Sequence, residues 1–131
     1  MAPKYSIADI DYDVTFLQDS LLLYPRPHSN YITCVYRLAN VRWARYRLSQ
    51  TKEDLDKAII QFTEAIFLLS DSRRVVRLLF RLAYALLVRF ERFKRPDDLN
   101  SSIEYFRYLR GLPLDFSDAP GNPHHAITYP G

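Results

Sequence analysis

The chain repeats itself with a period of 44 residues, and this repeat constrains its fold more than any other feature of the sequence. Within residues 37–62, a shift of 44 positions brings eight residues onto identical ones. In the first copy they are Arg37, Leu38, Ala39, Arg45, Asp54, Leu55, Ile59 and Phe62, and in the second Arg81, Leu82, Ala83, Arg89, Asp98, Leu99, Ile103 and Phe106. A fixed period of this length is typical of stacked supersecondary units rather than of one irregular core.

A third, partial copy precedes the two full ones. At a shift of 45 positions, acidic and apolar residues of the segment 9–23 coincide with similar residues of the segment 54–68. The matched residues of this partial copy are Asp9, Ile10, Asp11, Val14, Leu17, Asp19, Leu21 and Leu23. We therefore expect half a repeat followed by two full repeats.

Apolar residues recur with α-helical spacing in the acidic segments. Steps of four, three and four residues join Leu55, Ile59, Phe62 and Ile66, and likewise Ile10, Val14, Leu17 and Leu21. Such spacing places each set on one helix face. The basic segments between them are apolar around most of their circumference, which is typical of inner helices. The pattern predicts an all-α fold of about five helices in the order outer, inner, outer, inner, outer, at residues 9–24, 30–49, 53–69, 73–93 and 97–110.

Helix start signals agree with these bounds. Ser6 and Thr51 each precede an aspartate by three residues, as in a capping box, and Pro96 suits a first helical turn. The basic helices are expected to begin near Ser29 and Ser72. We divide the chain into an N-terminal segment, a repeat domain and a tail rich in proline and glycine, at residues 1–8, 9–112 and 113–131.

Charge alternates between inner and outer helices. Residues 73–95 carry eight bases against one acid, whereas residues 9–24 carry four aspartates and no base. Two arginines, Arg37 and Arg81, recur at one repeat position, and two aspartates recur at another, Asp54 and Asp98. The recurrence predicts an ion pair between the inner and the outer helix of each repeat.

Several classes of protein are disfavoured by the sequence. Cys34 is the one cysteine, so it can form neither an internal disulfide nor a metal cluster. A secretion leader is not evident, and arginines interrupt the longest apolar stretch, residues 75–90, so we expect no transmembrane segment and a cytoplasmic location. The histidines, His28, His124 and His125, form no motif with a nucleophile, and we expect no enzyme activity, no cofactor and no metal site.

The two kinds of segment resemble the helices of tetratricopeptide (TPR) repeats. Ala58, Phe62 and Ala65 have the small, aromatic, small spacing of the second TPR helix, and Leu38 with Ala39 resembles the Leu-Gly/Ala pair of the first. The period is longer than the usual value of about 34 residues. It is similar to the long-period TPR arrays of large fungal proteins that often carry a caspase-like CHAT domain. The resemblance implies an α-solenoid of helix-turn-helix repeats over residues 9–112.

In TPR arrays the inner helices line a concave groove that binds peptides. The resemblance assigns seven residues of this chain to that groove: Tyr36, Asn40, Trp43, Arg77, Phe80, Arg81 and Tyr84. It implies a non-catalytic scaffold that binds a peptide or partner protein, and the arginines favour an acidic one. Packing of the same aromatic rings against the next helix is the commoner arrangement and stands as the competing interpretation.

Other partners are compatible with the sequence. The chain could be the scaffold part of a larger CHAT regulatory enzyme. The bases of residues 73–95 could neutralise nucleic-acid phosphates, although the acidic helices offset that charge. The apolar, basic segment 75–94 could also lie at an anionic membrane surface.

The first outer helix has no inner helix before it, because residues 1–8 are too few to form one. We therefore expect its stripe of Ile10, Val14, Leu17 and Leu21 to be only half covered. Solenoid ends normally need polar caps. An open apolar end predicts a homo-oligomer, most simply a symmetric dimer through this stripe.

Overall fold

The computed structural model describes residues 5–26 and 28–112, which form five α-helices and contain no β-strand. The helices are α1 (Ile7–Leu21), α2 (Ser29–Ser49), α3 (Lys52–Leu68), α4 (Ser72–Phe93) and α5 (Pro96–Arg110). The prediction of an all-α chain is confirmed, and each predicted helix end lies within about three residues of the observed one. The predicted tail, with His124 and His125, lies outside the described residues.

The predicted start signals of the outer helices are present. At α1 the Ser6 hydroxyl accepts a hydrogen bond from the Asp9 N–H, and the Asp9 carboxylate accepts one from the Ser6 N–H. This reciprocal capping box satisfies two N–H groups that the first helical turn leaves unpaired. The Thr51 hydroxyl accepts from the Asp54 N–H at 3.3 Å before α3, and Pro96 opens α5.

The inner helices are capped one residue before the predicted serines. His28 Nδ1 accepts a hydrogen bond from the Asn30 N–H at 2.9 Å, and the Asp71 carboxylate accepts one from the Arg73 N–H at 3.0 Å.

Both inner helices end in the same unusual backbone conformation. Gln50 follows α2 and Lys94 follows α4, and each has a φ of 60°, in the left-handed region. The two residues are 44 positions apart, so the repeat extends to the geometry of the turn. Glycine usually occupies this position because a side chain is disfavoured there.

The described residues divide into two compact units, one ending at Leu68 and one beginning at Leu69. In the first unit α2 packs against both α1 and α3, and in the second α4 packs against α5. The first unit therefore contains the partial copy and one full repeat. The second unit contains the other full repeat.

The core of the first unit is built from the predicted stripe of α3. Its four apolar residues are buried, together with two small residues of the same helix. They are Leu55, Ile59, Phe62 and Ile66, with Ala58 and Ala65. Val35 and Leu38 of α2 are buried as well.

The apolar stripe of α1 is covered more completely than expected. Ile10 and Leu17 are buried within the unit, while Val14 and Leu21 are half-buried. The expectation of a half-covered stripe is wrong for Ile10 and Leu17, because α2 follows α1 in the chain and packs on it. A dimer through these two side chains would require the unit to open.

The five helices of the described residues include none with the length and apolar character needed to cross a bilayer.

Candidate interaction surfaces

An arginine and an aspartate join the inner and outer helices of each unit. In the first unit Arg45 Nη1 lies 2.5 Å from Asp54 Oδ2, and Arg45 Nε lies 2.7 Å from Asp11 Oδ1. The Ser49 hydroxyl also donates to the Asp54 carboxylate. Arg45 therefore ties α2 to α1 and to α3 at once.

The second unit holds the equivalent pair. Arg89 Nε and Nη2 donate to the two carboxylate oxygens of Asp98 at 2.6 and 2.9 Å. Both side chains are buried, so this two-point contact is shielded from water. Arg89 and Asp98 lie 44 residues after Arg45 and Asp54.

The predicted ion pair exists in both repeats, but the prediction named the wrong arginines. Asp54 and Asp98 lie beside the short turns that join each pair of helices, and Arg45 and Arg89 lie near the same turns. Arg37 lies eight residues before Arg45 on α2, which is about 12 Å away from the turn at the rise of a helix.

Hydrogen bonds control the charge of the carboxylates in the first unit. Burial raises the pKa of the Asp54 carboxyl, but hydrogen bonds from Ser49 and Arg45 outweigh burial and hold its pKa below the ordinary value. The hydrogen bond from Arg45 likewise lowers the pKa of Asp11. The bonds to Asp11 and Asp54 in turn raise the pKa of Arg45. The cluster is therefore an ionised structural tie.

Metal-binding side chains do not come together in the described part of the chain. No group of three or more histidine, cysteine, aspartate or glutamate residues there is placed to hold a metal ion. Cys34 is half-buried on α2.

The three groove candidates of the first unit lie on one face of α2. Tyr36, Asn40 and Trp43 follow the spacing of a single helix face, and each is half-buried. The Trp43 ring lies 5.4 Å from the Tyr46 ring and 6.1 Å from the Phe62 ring of α3. Trp43 thus packs against the next helix, which is the competing arrangement expected for these aromatics.

The four groove candidates of the second unit share a more open face of α4. Together with Arg73, they form what we call the α4 basic–aromatic face: Arg73, Arg77, Phe80, Arg81 and Tyr84. The Phe80 and Tyr84 side chains are 56% and 48% exposed, and Arg73 and Arg77 are exposed too. Phe80 also meets Phe106 of α5 edge-on at 5.7 Å.

The opposite side of α4 is fully used in packing. Val75, Leu79, Leu82 and Leu86 are buried there, in register with the helical period. The Phe80 and Tyr84 side chains thus remain about half exposed on the other side of the helix, where the Phe80 ring also contacts Phe106.

A second exposed face lies on α1, and the sequence analysis missed it. It consists of Asp9, Tyr12, Phe16, Asp19 and Leu23, which we call the α1 acidic–aromatic face. The Tyr12 and Phe16 rings are 74% and 60% exposed, and Leu23 just after the helix is exposed as well. The steps of three, four, three and four residues along this face were visible in the sequence as a second stripe beside Ile10 and Leu17.

Comparison with protein-family models, with curated proteins and with solved structures finds no match for this chain.

Proposed function

We propose that this chain is a protein-interaction module built from TPR-like repeats, and that its α4 basic–aromatic face binds an acidic, partly apolar segment of a partner protein. The observation that carries the proposal is the exposure of Phe80 and Tyr84 beside arginines, on a helix whose other side is already packed. We expect a non-catalytic role.

The composition of the face supports protein binding. Aromatic rings and arginines are enriched at the positions that contribute most of the binding energy in protein interfaces. A single apolar side chain on a surface needs no functional explanation, whereas here two aromatic rings lie together beside arginines. Arg77 offers a planar guanidinium for carboxylates, while Phe80 and Tyr84 offer apolar area. A segment that alternates carboxylates with apolar side chains has the matching chemistry.

The recurrence of structural details supports the repeat architecture. The Arg45–Asp54 pair and the left-handed residue Gln50 of the first unit have counterparts 44 residues later in the second. An α-solenoid of TPR-like helical pairs is the arrangement that we propose for these units. In such arrays the inner helices, here α2 and α4, supply the binding face.

Nucleic acid is a weaker candidate for the same face. Among the eight bases of residues 73–95, Arg89 is buried against Asp98, and Arg74 lies 3.8 Å from Asp71. The buried Arg89 guanidinium is therefore not accessible to phosphates. The aromatic rings of the face also suit a peptide with apolar side chains.

Fluorescence anisotropy of labelled peptides tests the proposal. The probe is a fluorescein-labelled peptide of alternating glutamate and leucine, with a lysine and leucine peptide and a DNA duplex as comparisons. We expect the acidic peptide to bind, and Arg77→Glu and Phe80→Ala each to weaken it about tenfold, since each removes an anchor. Arg37→Glu is the matched control, because Arg37 is an exposed arginine of the other inner helix.

Two results would overturn the proposal. The first is equal affinity of the acidic peptide for the wild type and the Arg77 and Phe80 variants. The second is tight binding of the DNA duplex that Arg37→Glu and Arg77→Glu weaken alike, which would indicate diffuse phosphate binding.

A further inference from the structure

We propose that the α1 acidic–aromatic face of one copy binds the α4 basic–aromatic face of a second copy, so that chains associate head to tail. This inference rests on the proposed function, because it names the partner of the α4 basic–aromatic face. Its evidence is independent of the TPR resemblance and comes from α1.

Helix α1 is apolar on two opposite sides. Ile10 and Leu17 point into the first unit, and Tyr12 and Phe16 point to solvent on the other side. A helix with two apolar sides is typical of one that packs against neighbours on both. The first unit supplies a neighbour, α2, for one side.

The negative charge of α1 limits which surfaces can pack against its solvent-exposed side. Residues 7–21 carry four aspartates and no base. Asp11 is held by Arg45, while Asp9 and Asp19 lie exposed on the α1 acidic–aromatic face itself. A symmetric contact between two α1 helices would bring two acidic helices together and supply no base for Asp9 and Asp19. A surface that combines aromatic side chains with bases therefore matches this face better.

The α4 basic–aromatic face has that combination and the same spacing. Its residues Tyr84, Phe80, Arg77 and Arg73 are separated by four, three and four residues when the helix is followed backwards. On α1 the residues Tyr12, Phe16 and Asp19 are separated by four and three residues when it is followed forwards, and Leu23 comes four residues later, in the turn after the helix. Two helices whose contact residues have matching spacing can pack antiparallel, so that each contact residue of one helix lies opposite one of the other.

The antiparallel register pairs compatible side chains at every layer. Phe16 meets Phe80, and Asp19 meets Arg77. Tyr12 likewise meets Tyr84. Beyond the end of α1, the aliphatic stem of Arg73 covers Leu23 in the turn that follows the helix. The aromatic layers bury apolar area, and the carboxylate and guanidinium fix the register.

The contact joins two different faces, so it does not close on itself in a pair. Such heterologous contacts produce rings or open chains whose size grows with concentration. The binding of an acidic peptide to the α4 basic–aromatic face competes with this assembly, since both use Arg77 and Phe80.

Light scattering coupled to size-exclusion chromatography tests the assembly with two variants. Phe16→Asp blocks the α1 acidic–aromatic face, and Arg77→Asp blocks the α4 basic–aromatic face. Both side chains are exposed, so the fold should persist, and circular dichroism checks it. We expect the wild type to exceed its monomer mass of 15.5 kDa as concentration rises, and each variant alone to stay monomeric.

A mixture of the two variants gives the decisive result. Phe16→Asp retains a working α4 face and Arg77→Asp retains a working α1 face, so one wild-type contact can form between them. The other possible contact sets new carboxylates together and is blocked. We expect the equimolar mixture to form dimers of twice the monomer mass and nothing larger.

Three results would overturn the inference: a wild type that stays monomeric, a mixture that stays monomeric, and an Arg77→Asp variant that assembles like the wild type. The last would indicate a contact through α1 alone. Binding of the acidic peptide shows whether only self-association is refuted or the proposed peptide-binding function as well. A monomeric wild type that still binds the peptide through Arg77 refutes only self-association.

Discussion

The two units place the same arginine–aspartate pair in different surroundings. In the first unit Arg45 is partly exposed and is shared between Asp54 and Asp11, on two helices. In the second unit Arg89 is buried and grips both oxygens of Asp98. The same repeat position thus forms a partly exposed ion pair, shared between two aspartates, in the first unit. In the second unit it forms a buried ion pair with two hydrogen bonds.

This difference determines what each pair contributes to stability. A buried ion pair recovers its desolvation cost only while both partners are present, so removal of one partner is costly. Removal of one partner from a partly exposed ion pair costs less stability, because water solvates the charge that remains. The ion pair therefore stabilises the packing of its two helices in both units, and we expect its loss to destabilise the second unit more than the first.

We expect the largest effect from removal of Asp98. Asp98→Ala leaves the Arg89 guanidinium buried without this carboxylate and should lower the free energy of unfolding by about 3–5 kcal/mol. Arg89→Ala should cost less, since Asp98 lies in the first turn of α5, where the helix dipole favours a negative charge. Urea unfolding followed by circular dichroism measures both.

The control is the double variant Asp98→Leu with Arg89→Met, which removes both charges at similar volume. It should be more stable than Asp98→Ala. Equal loss in the double variant and in Asp98→Ala would show that lost packing, and not the removal of one partner of the ion pair, determines the cost.

The corresponding change in the first unit should have an intermediate effect. Asp54→Ala removes hydrogen bonds from Arg45 and Ser49 and should lower the free energy of unfolding by about 2 kcal/mol. Trp43 is the one tryptophan of the chain and lies in this unit, so its fluorescence reports the loss locally. A loss as large as that of Asp98→Ala would contradict the contrast between the two units.

Acid should also weaken the first unit through Asp54. Its folded pKa is lowered, so the unfolded state binds more protons on acidification. The stabilisation is present above the ordinary aspartate pKa of about 3.9 and is lost as pH falls through the lower folded value.

Urea midpoints from Trp43 fluorescence between about pH 2 and 6 measure this loss. The pH dependence should be shallower in Asp54→Asn but not absent, because Arg45 also lowers the pKa of Asp11. An unchanged slope in Asp54→Asn would assign the acid sensitivity to other groups.

The smallest effect should come from the turns, where the two units are alike. Lys94→Gly should raise the free energy of unfolding by about 0.5–1 kcal/mol, because glycine adopts the left-handed conformation without a side-chain clash. Gln50→Gly should gain less, because it also removes the hydrogen bonds that the Gln50 side chain donates to the carbonyls of Tyr46 and Arg47. Lys94→Ala is the control, and thermal unfolding followed by circular dichroism is sufficient. A larger gain from Gln50→Gly than from Lys94→Gly, or an equal gain from alanine, would contradict this explanation.

The sequence predicted the helices well because their signals are local. The stripe from Leu55 to Ile66 and the start signals at Ser6, Thr51 and Pro96 depend only on neighbouring residues. The predicted ion pairs had the correct aspartates and the wrong arginines, because the repeat aligns Arg37 and Arg45 equally well with their copies. Only the position of the turn shows which of them lies beside Asp54.

The candidate surfaces were less predictable. Phe80 and Tyr84 were found by resemblance, but Trp43 of the same set packs against Phe62, and one helix pattern cannot separate the two outcomes. The α1 acidic–aromatic face was missed because Ile10 and Leu17 drew attention to the opposite side. Which of two stripes is covered depends on tertiary packing, and α2 packs on the stripe that we expected to be only half covered.

Chemical-shift mapping tests the central claim, that the α4 basic–aromatic face is a protein-binding surface. A ¹⁵N-labelled chain is titrated with the acidic peptide, and amide shifts are followed residue by residue. Our account predicts shifts that saturate and cluster on α4 between Arg73 and Tyr84, and that Phe80→Ala weakens. Shifts spread over all exposed arginines, or the absence of shifts on α4, would contradict it.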